Sequence, residues 1–177
     1  DQGDSGHCWV MTALSAVSDN TRHRLAIDQD LELSTNYFLF WNYFELANAE
    51  YENFITSASF GKATEGEKIP YNPDFEDGGH HHTAQFILGK YGAVPLSVMP
   101  HTKSTFKTTE VKEALTLAVG RHIFGMHAKA QELLERTRGT IGSRKRKQIQ
   151  DELRKLKFAA FSEIFQLLTQ FLGSPPA

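Results

Sequence analysis

The sequence lacks several features that define protein classes. It has a single cysteine, so no intrachain disulfide can form, and this suits a reducing compartment better than the extracellular space. It has no apolar run long enough to span a bilayer, and no secretory signal opens it. With a net charge of −2 it also lacks the basic excess of many nucleic-acid-binding domains. We therefore expect a cytoplasmic protein without a membrane partner.

The composition is that of an ordinary globular protein. The chain has 177 residues, of which 40% are hydrophobic. This length is enough for one domain with a sizeable core.

The only cysteine, Cys8, lies in residues 2–9, which read Gln-Gly-Asp-Ser-Gly-His-Cys-Trp. Apolar or small residues follow at helical spacing, at Val10, Ala13, Leu14 and Val17. Cys8 is therefore predicted in the first turn of a helix, where backbone N–H groups are unpaired and the helix dipole favours an anion. This environment favours a thiolate nucleophile. The alternative is a small buried structural thiol.

Gln2 is close enough along the chain to place its side-chain amide beside the Cys8 N–H. Together the two groups would donate to an oxyanion that forms during acyl transfer. The alternative for Gln2 is a solvated residue near the first residue of the sequence.

These residues resemble a known active-site segment. The pattern Gln-x-x-x-Gly-x-Cys-Trp is similar to that of papain-like cysteine peptidases, and residues 32–41, 77–79, 90–95 and 172–176 narrow the resemblance to the bleomycin hydrolase and aminopeptidase C family. The resemblance implies an α+β papain-like fold. This chain would cover mainly the helical half, with a helical insertion, and the β-rich half would be absent.

Asp77, Gly78 and Gly79 form the second candidate site segment. Their composition alone is typical of a turn. The resemblance implies instead that the glycine backbone binds the peptide substrate, because glycine leaves no side chain in the way.

A thiolate peptidase needs a histidine that is oriented by an Asn or Asp. The resemblance places both partners beyond this chain, so we expect a fragment of a longer enzyme that is inactive alone. Among the eight histidines, His7 would diverge from Cys8 on a helix. The run His80, His81 and His82 is suggestive of a metal but lacks identified further ligands. We expect no metal and no cofactor.

The rest of the chain is predicted to be mostly helical. One helix would start after a Ser34 cap, with aromatic residues on its core face, and a loop would span residues 56–76. A short helix would be capped by Thr83 and end at Gly92, and residues 98–109 would be irregular.

Residues 110–172 are predicted to form two long helices joined near residues 139–143. We place a domain boundary before the first of these helices, which gives a papain-like helical domain, 1–109, and a helical insertion, 110–177. In the family that the chain resembles, such insertions help build a hexameric ring, so a homo-oligomer is expected.

Two functions are compatible with the sequence. The first is a cysteine-type aminopeptidase that acts on short peptides. The alternative is a catalytically inactive helical interaction or nucleic-acid-binding module, because Arg144, Lys145, Arg146 and Lys147 form a basic run. A solvated face or a subunit contact also explains that run.

Overall fold

The computed structural model describes residues 5–27, 29–61, 73, 75–135 and 141–176. Within these ranges the chain forms six helices: α1 (Cys8–Leu25), α2 (Thr35–Ser59), α3 (His81–Tyr91), α4 (Lys103–Phe106), α5 (Thr109–Glu135) and α6 (Ser143–Leu172). The described part contains no β-strand, and its isolated bridge joins Leu33 to Pro95. This architecture agrees with the predicted helical half of a papain-like fold.

Helix α2 lies at the centre of the core. Its N-cap is Ser34, whose hydroxyl accepts a 3.1 Å hydrogen bond from the backbone N–H of Tyr37, as the sequence predicted. On the predicted aromatic face Tyr51 is fully buried, whereas Trp41 and Phe44 are partly buried against the core.

Helices α5 and α6 pack on α2 rather than standing apart from it. Phe44 stacks on Phe161 with ring centroids 4.7 Å apart, and Phe40 meets the edge of Phe165 at 5.1 Å. The two long helices are confirmed. The division into domains at residues 109 and 110 stays a prediction.

The end of α6 also follows the sequence pattern. The helix stops at Gly173, which has a φ of 92° and so adopts a backbone conformation that favours glycine.

Three local predictions were wrong or incomplete. Helix α3 begins at His81 and its N-cap is the extended His80, so Thr83 is not the cap, although Gly92 does end the helix. Residues 98–109 are not wholly irregular, because Thr102 and Thr105 form a capping box that starts α4. Helix α2 continues to Ser59 into the predicted loop, of which residues 62–72 and 74 lie outside the described residues.

None of the helices in the described ranges is both long and apolar enough to cross a membrane.

Candidate active site

Cys8 is exposed and is the first residue of α1. The N-cap position is occupied by His7, whose carbonyl oxygen accepts the first hydrogen bond of the helix from Met11, at 3.0 Å. The helix itself therefore offers no partner to the Cys8 N–H, and the positive end of its dipole lies at the thiol. The predicted placement at the helix start is confirmed, and the alternative of a buried thiol is not.

A cavity of about 550 Å³ lies beside Cys8, between α1 and α3. Helix α1 lines it with small residues such as Ala13 and Ala16, and α3 contributes His81 and Gln85. Its lining contains no Asp, Glu, Lys or Arg among the described residues. The thiol thus lies at the edge of a mainly apolar cleft that is large enough for a side chain.

Asp77 has a largely buried side chain, 11% exposed, that is held from several directions. One carboxylate oxygen accepts a 2.8 Å hydrogen bond from the Tyr43 hydroxyl and lies 3.4 Å from Nε2 of His7. The other accepts from Thr108 at 2.6 Å and from the Lys112 ammonium at 3.0 Å. This carboxylate joins the loop before α3 to residues of α1, α2 and α5.

These contacts determine the charge of Asp77. Burial alone would raise the pKa of its carboxyl, but the approach of His7 and the hydrogen bonds from Thr108, Tyr43 and Lys112 outweigh burial and hold that pKa well below its usual range. Burial, followed by the nearby negative charge, raises the pKa of the Tyr43 hydroxyl. The Asp77 side chain is therefore a carboxylate at any physiological pH, and the neutral Tyr43 hydroxyl donates a hydrogen bond to it.

Trp9 attaches the same loop to the start of α1. Its indole N–H donates a 2.7 Å hydrogen bond to the carbonyl oxygen of Asp77. Its ring lies so close to Gly79 that a Cβ there would come within 2.4 Å of the indole, and a Cβ at Gly6 would be 3.0 Å from that of Asp77. Close backbone approach is thus required on both sides of the contact.

Gly78 differs from its neighbour. A Cβ added there would meet nothing within 4 Å among the described residues. Its backbone is therefore sterically open, and a peptide could approach it. Of the predicted site residues, Cys8 and the Asp77–Gly79 segment are brought together through His7 and Trp9, whereas Gln2 lies outside the described residues.

The histidine run begins helix α3. His80 is its N-cap, and the rings of His81 and His82 are 6.0 Å apart in the first turn. No group of three or more His, Cys, Asp or Glu side chains that could hold a metal ion occurs within the described ranges. His81 lines the cavity with Cys8. His7, the other histidine near the thiol, is buried against Asp77 instead.

Sequence reasoning missed the residues that hold Asp77. Tyr43 lies on α2 outside the predicted aromatic face, and Thr108 and Lys112 lie in segments without a recognised motif. No local pattern identifies these three, because each lies more than 30 positions from Asp77. The indole of Trp9 was quoted as part of the motif, but its hydrogen bond was not foreseen.

Comparison with known proteins matches this chain to a family of cysteine peptidases. The sequence profile described as the peptidase C1-like family matches residues 1–177. Aminopeptidase C of Listeria monocytogenes is 31% identical over 176 residues, and bleomycin hydrolase of Gallus gallus is 26% identical over 179; each alignment covers 99% of this chain and 36% of the relative. The chain thus spans little more than a third of the length of these relatives.

A solved structure has a similar fold. The crystal structure of pepw from Lactobacillus rhamnosis HN001 superimposes with a TM-score of 0.77 and 28% sequence identity, covering 100% of this chain and 36% of that one. The fold, the Cys8 segment and the sequence matches agree. The chain belongs to the peptidase C1-like family of cysteine peptidases, among relatives named aminopeptidase C and bleomycin hydrolase.

Proposed function

We propose that this chain supplies the nucleophile and part of the substrate cleft of a cysteine-type aminopeptidase that acts on short peptides. The observation that carries the proposal is the exposed thiol of Cys8 at the N-terminus of α1, beside an apolar cavity and close to an open glycine backbone. The names of the relatives support the exopeptidase part of it.

In the proposed reaction the Cys8 thiolate attacks the carbonyl carbon of the first peptide bond. The oxyanion that forms accepts a hydrogen bond from the Cys8 N–H and, in our proposal, from the Gln2 side chain. The intermediate collapses with loss of the amine, which takes a proton from a histidine supplied outside these 177 residues and oriented by an Asn. Water then hydrolyses the thioester and regenerates the thiol.

Gly78 and Gly79 would present backbone groups to the substrate in this reaction. The open surface above Gly78 supports this role. The side chain of Asp77 would act indirectly, because its oxygens are already bonded to Tyr43, Thr108 and Lys112.

The test uses the natural full-length protein with aminoacyl p-nitroanilides. We expect Cys8→Ala to lower kcat/KM by about 10⁴-fold or more, as for other nucleophile removals. An N-acetylated form of the same substrate is the control for exopeptidase action, and we expect it to be cleaved poorly. Undiminished hydrolysis by Cys8→Ala would contradict the proposal, and equal cleavage of the acetylated substrate would replace aminopeptidase with endopeptidase action.

We also propose that the protein forms a homo-oligomer and works in the cytoplasm. Leu117 and Phe124 are one heptad apart on α5 and are 75% and 74% exposed, which supports an apolar contact with a second copy. Light scattering of the natural protein and of Phe124→Ser would test the contact, with a smaller assembly expected for the variant. The free thiol of Cys8 supports a reducing compartment.

We do not favour nucleic-acid binding as the function of the basic run. The guanidinium of Arg146 lies 4.4 Å from the ring centroid of Phe60, and the neighbouring Arg154 and Lys157 pair with Glu52. Of the four residues in the run, Arg146 is thus used within the fold, and so are two of the cations that follow the run. A salt-dependent affinity for DNA in a filter-binding titration would reverse this choice.

A further inference from the structure

His7 is a buried polar residue directly before the nucleophile. Its side chain is 1% exposed, and neither ring nitrogen has a hydrogen-bond partner among the described residues. Buried polar atoms are nearly always paired, because an unpaired one loses its hydration without compensation. An imidazole in this state next to Cys8 therefore calls for an explanation.

The nearest acceptor is already in position. Nε2 of His7 lies 3.4 Å from a carboxylate oxygen of Asp77, within reach of an ion pair but longer than a normal hydrogen bond. A shift of a few tenths of an ångström would close this contact. A protonated imidazole would close this contact more readily than a neutral one, because charge-assisted hydrogen bonds are shorter and stronger than neutral ones.

The ionisable groups around the ring come from four elements. Asp77 belongs to the loop before α3, Tyr43 to α2 and Lys112 to α5, while Cys8 follows His7 at the start of α1. Tyr43 stays neutral and Lys112 already occupies the far oxygen of Asp77. Two imidazoles therefore remain near the start of α1: His81, which lines the cavity with Cys8, and His7, whose ring lies against Asp77.

The backbone of His7 connects its ring to the start of the helix that carries Cys8. His7 is the N-cap of α1, and its carbonyl oxygen accepts the first helical hydrogen bond. On the other side, Gly6 lies against the Cβ position of Asp77 with no room for a side chain. A ring that closes on Asp77 thus holds the helix start against the Asp77–Gly79 segment.

We propose that His7 is a positioning residue for the Cys8 reaction: the protonated ring closes its contact with Asp77 and holds the thiol in register with the Gly78 backbone. This rests on the proposed function, in which Cys8 is the nucleophile. Without the charge on the ring, the contact with Asp77 relaxes and the start of α1 is held less firmly.

The first test measures the rate of Cys8 alkylation by iodoacetamide between pH 5 and 8.5 in the natural full-length protein. For the wild type we expect a second inflection in addition to that of the thiol. His7→Gln keeps a neutral donor that can reach Asp77, and we expect it to lose this second inflection and to react about threefold more slowly at the acidic end, because a neutral hydrogen bond holds Asp77 less strongly than a charge-assisted one.

Two further variants sharpen the result. His7→Arg carries a permanent cation, and we expect it to react as fast as the wild type at the acidic end without the second inflection. His23→Gln removes an exposed imidazole from the last turn of the same helix, and its profile should match the wild type. His81→Gln removes the imidazole that lines the cavity with Cys8, and its profile should keep the second inflection. Coincident profiles for His7→Gln and the wild type would overturn the inference.

An NMR titration of the wild type avoids any variant that fails to fold. We expect the backbone amide shifts of Gly78 and Gly79 to follow the same midpoint as the ring protons of His7. Glycine shifts that ignore the His7 midpoint would overturn the inference. The proposed function fails separately, if the wild-type thiol reacts no faster at acidic pH than a free cysteine.

Discussion

The indole N–H of Trp9 donates a 2.7 Å hydrogen bond to the backbone carbonyl oxygen of Asp77, 68 positions further along the chain. The residue after the proposed nucleophile is thereby bonded to the segment proposed to bind substrate. The geometry of the cleft therefore depends on a tertiary contact at least as much as on the helix that carries the thiol.

The first prediction concerns this hydrogen bond. Trp9→Phe removes the donor and part of the ring, and we expect the free energy of unfolding to fall by about 2 kcal/mol, since a partly buried acceptor loses its partner and the core loses contact area. Urea denaturation measures the change. Trp41→Phe is the matched control, because its indole nitrogen has no partner in the described residues; a loss as large as that of Trp9→Phe would show that ring area alone explains the effect.

The second prediction separates the two glycines. Gly79→Ala places a Cβ about where the Trp9 ring lies, at 2.4 Å, so we expect a loss of about 1–3 kcal/mol in stability from overpacking. Gly78→Ala meets open space and should leave stability unchanged, but it should raise KM for peptide substrates if the backbone there binds them. Thermal melts and steady-state kinetics measure the two effects. A normal KM for Gly78→Ala would argue against the substrate role.

The third prediction tests Asp77 as the centre of its network. Asp77→Asn keeps the shape but leaves Lys112 and His7 without an anion, and we expect a loss of about 3 kcal/mol in the free energy of unfolding. Asp30→Asn is the control, because Asp30 is 97% exposed in its pair with Arg22 and should matter little. Equal effects of the two substitutions would contradict the structural role assigned to Asp77.

The fourth prediction follows from the lowered pKa of Asp77. A carboxyl whose folded pKa lies below its unfolded value of about 3.9 stabilises the fold above that pH, and the contribution is lost as the pH falls further. We therefore expect the free energy of unfolding to decline steeply below about pH 4. Denaturation at a series of acidic pH values should show a shallower decline for Asp77→Asn. Parallel curves for the two proteins would assign the acid sensitivity to other carboxylates.

Several elements were predictable because their signals are local. Apolar spacing at a period of 3.6 residues predicted the helix start at Cys8 and the two long helices. Capping chemistry predicted the Ser34 cap of α2 and the end of α6 at Gly173. The start of α3 was not predictable in this way. Histidine is not a preferred N-cap residue. The N-cap His80 has an extended backbone, and its side chain makes no capping hydrogen bond.

In the candidate site, too, the local features were predictable and the tertiary contacts were not. The spacing of apolar residues after Cys8 already placed it at the start of a helix, where the favourable field for an anion comes from backbone groups of that same helix. The sequence alone determined that Cys8 starts a helix, that the chain is mostly helical and that it resembles a peptidase family.

Only the tertiary structure decided what Asp77 and His7 contact. The Asp-Gly-Gly segment looks like a turn, and its role as an anchor arises because Tyr43, Thr108 and Lys112 converge on one carboxylate from distant parts of the chain. A buried ion needs partners from several directions, and only packing can bring these together.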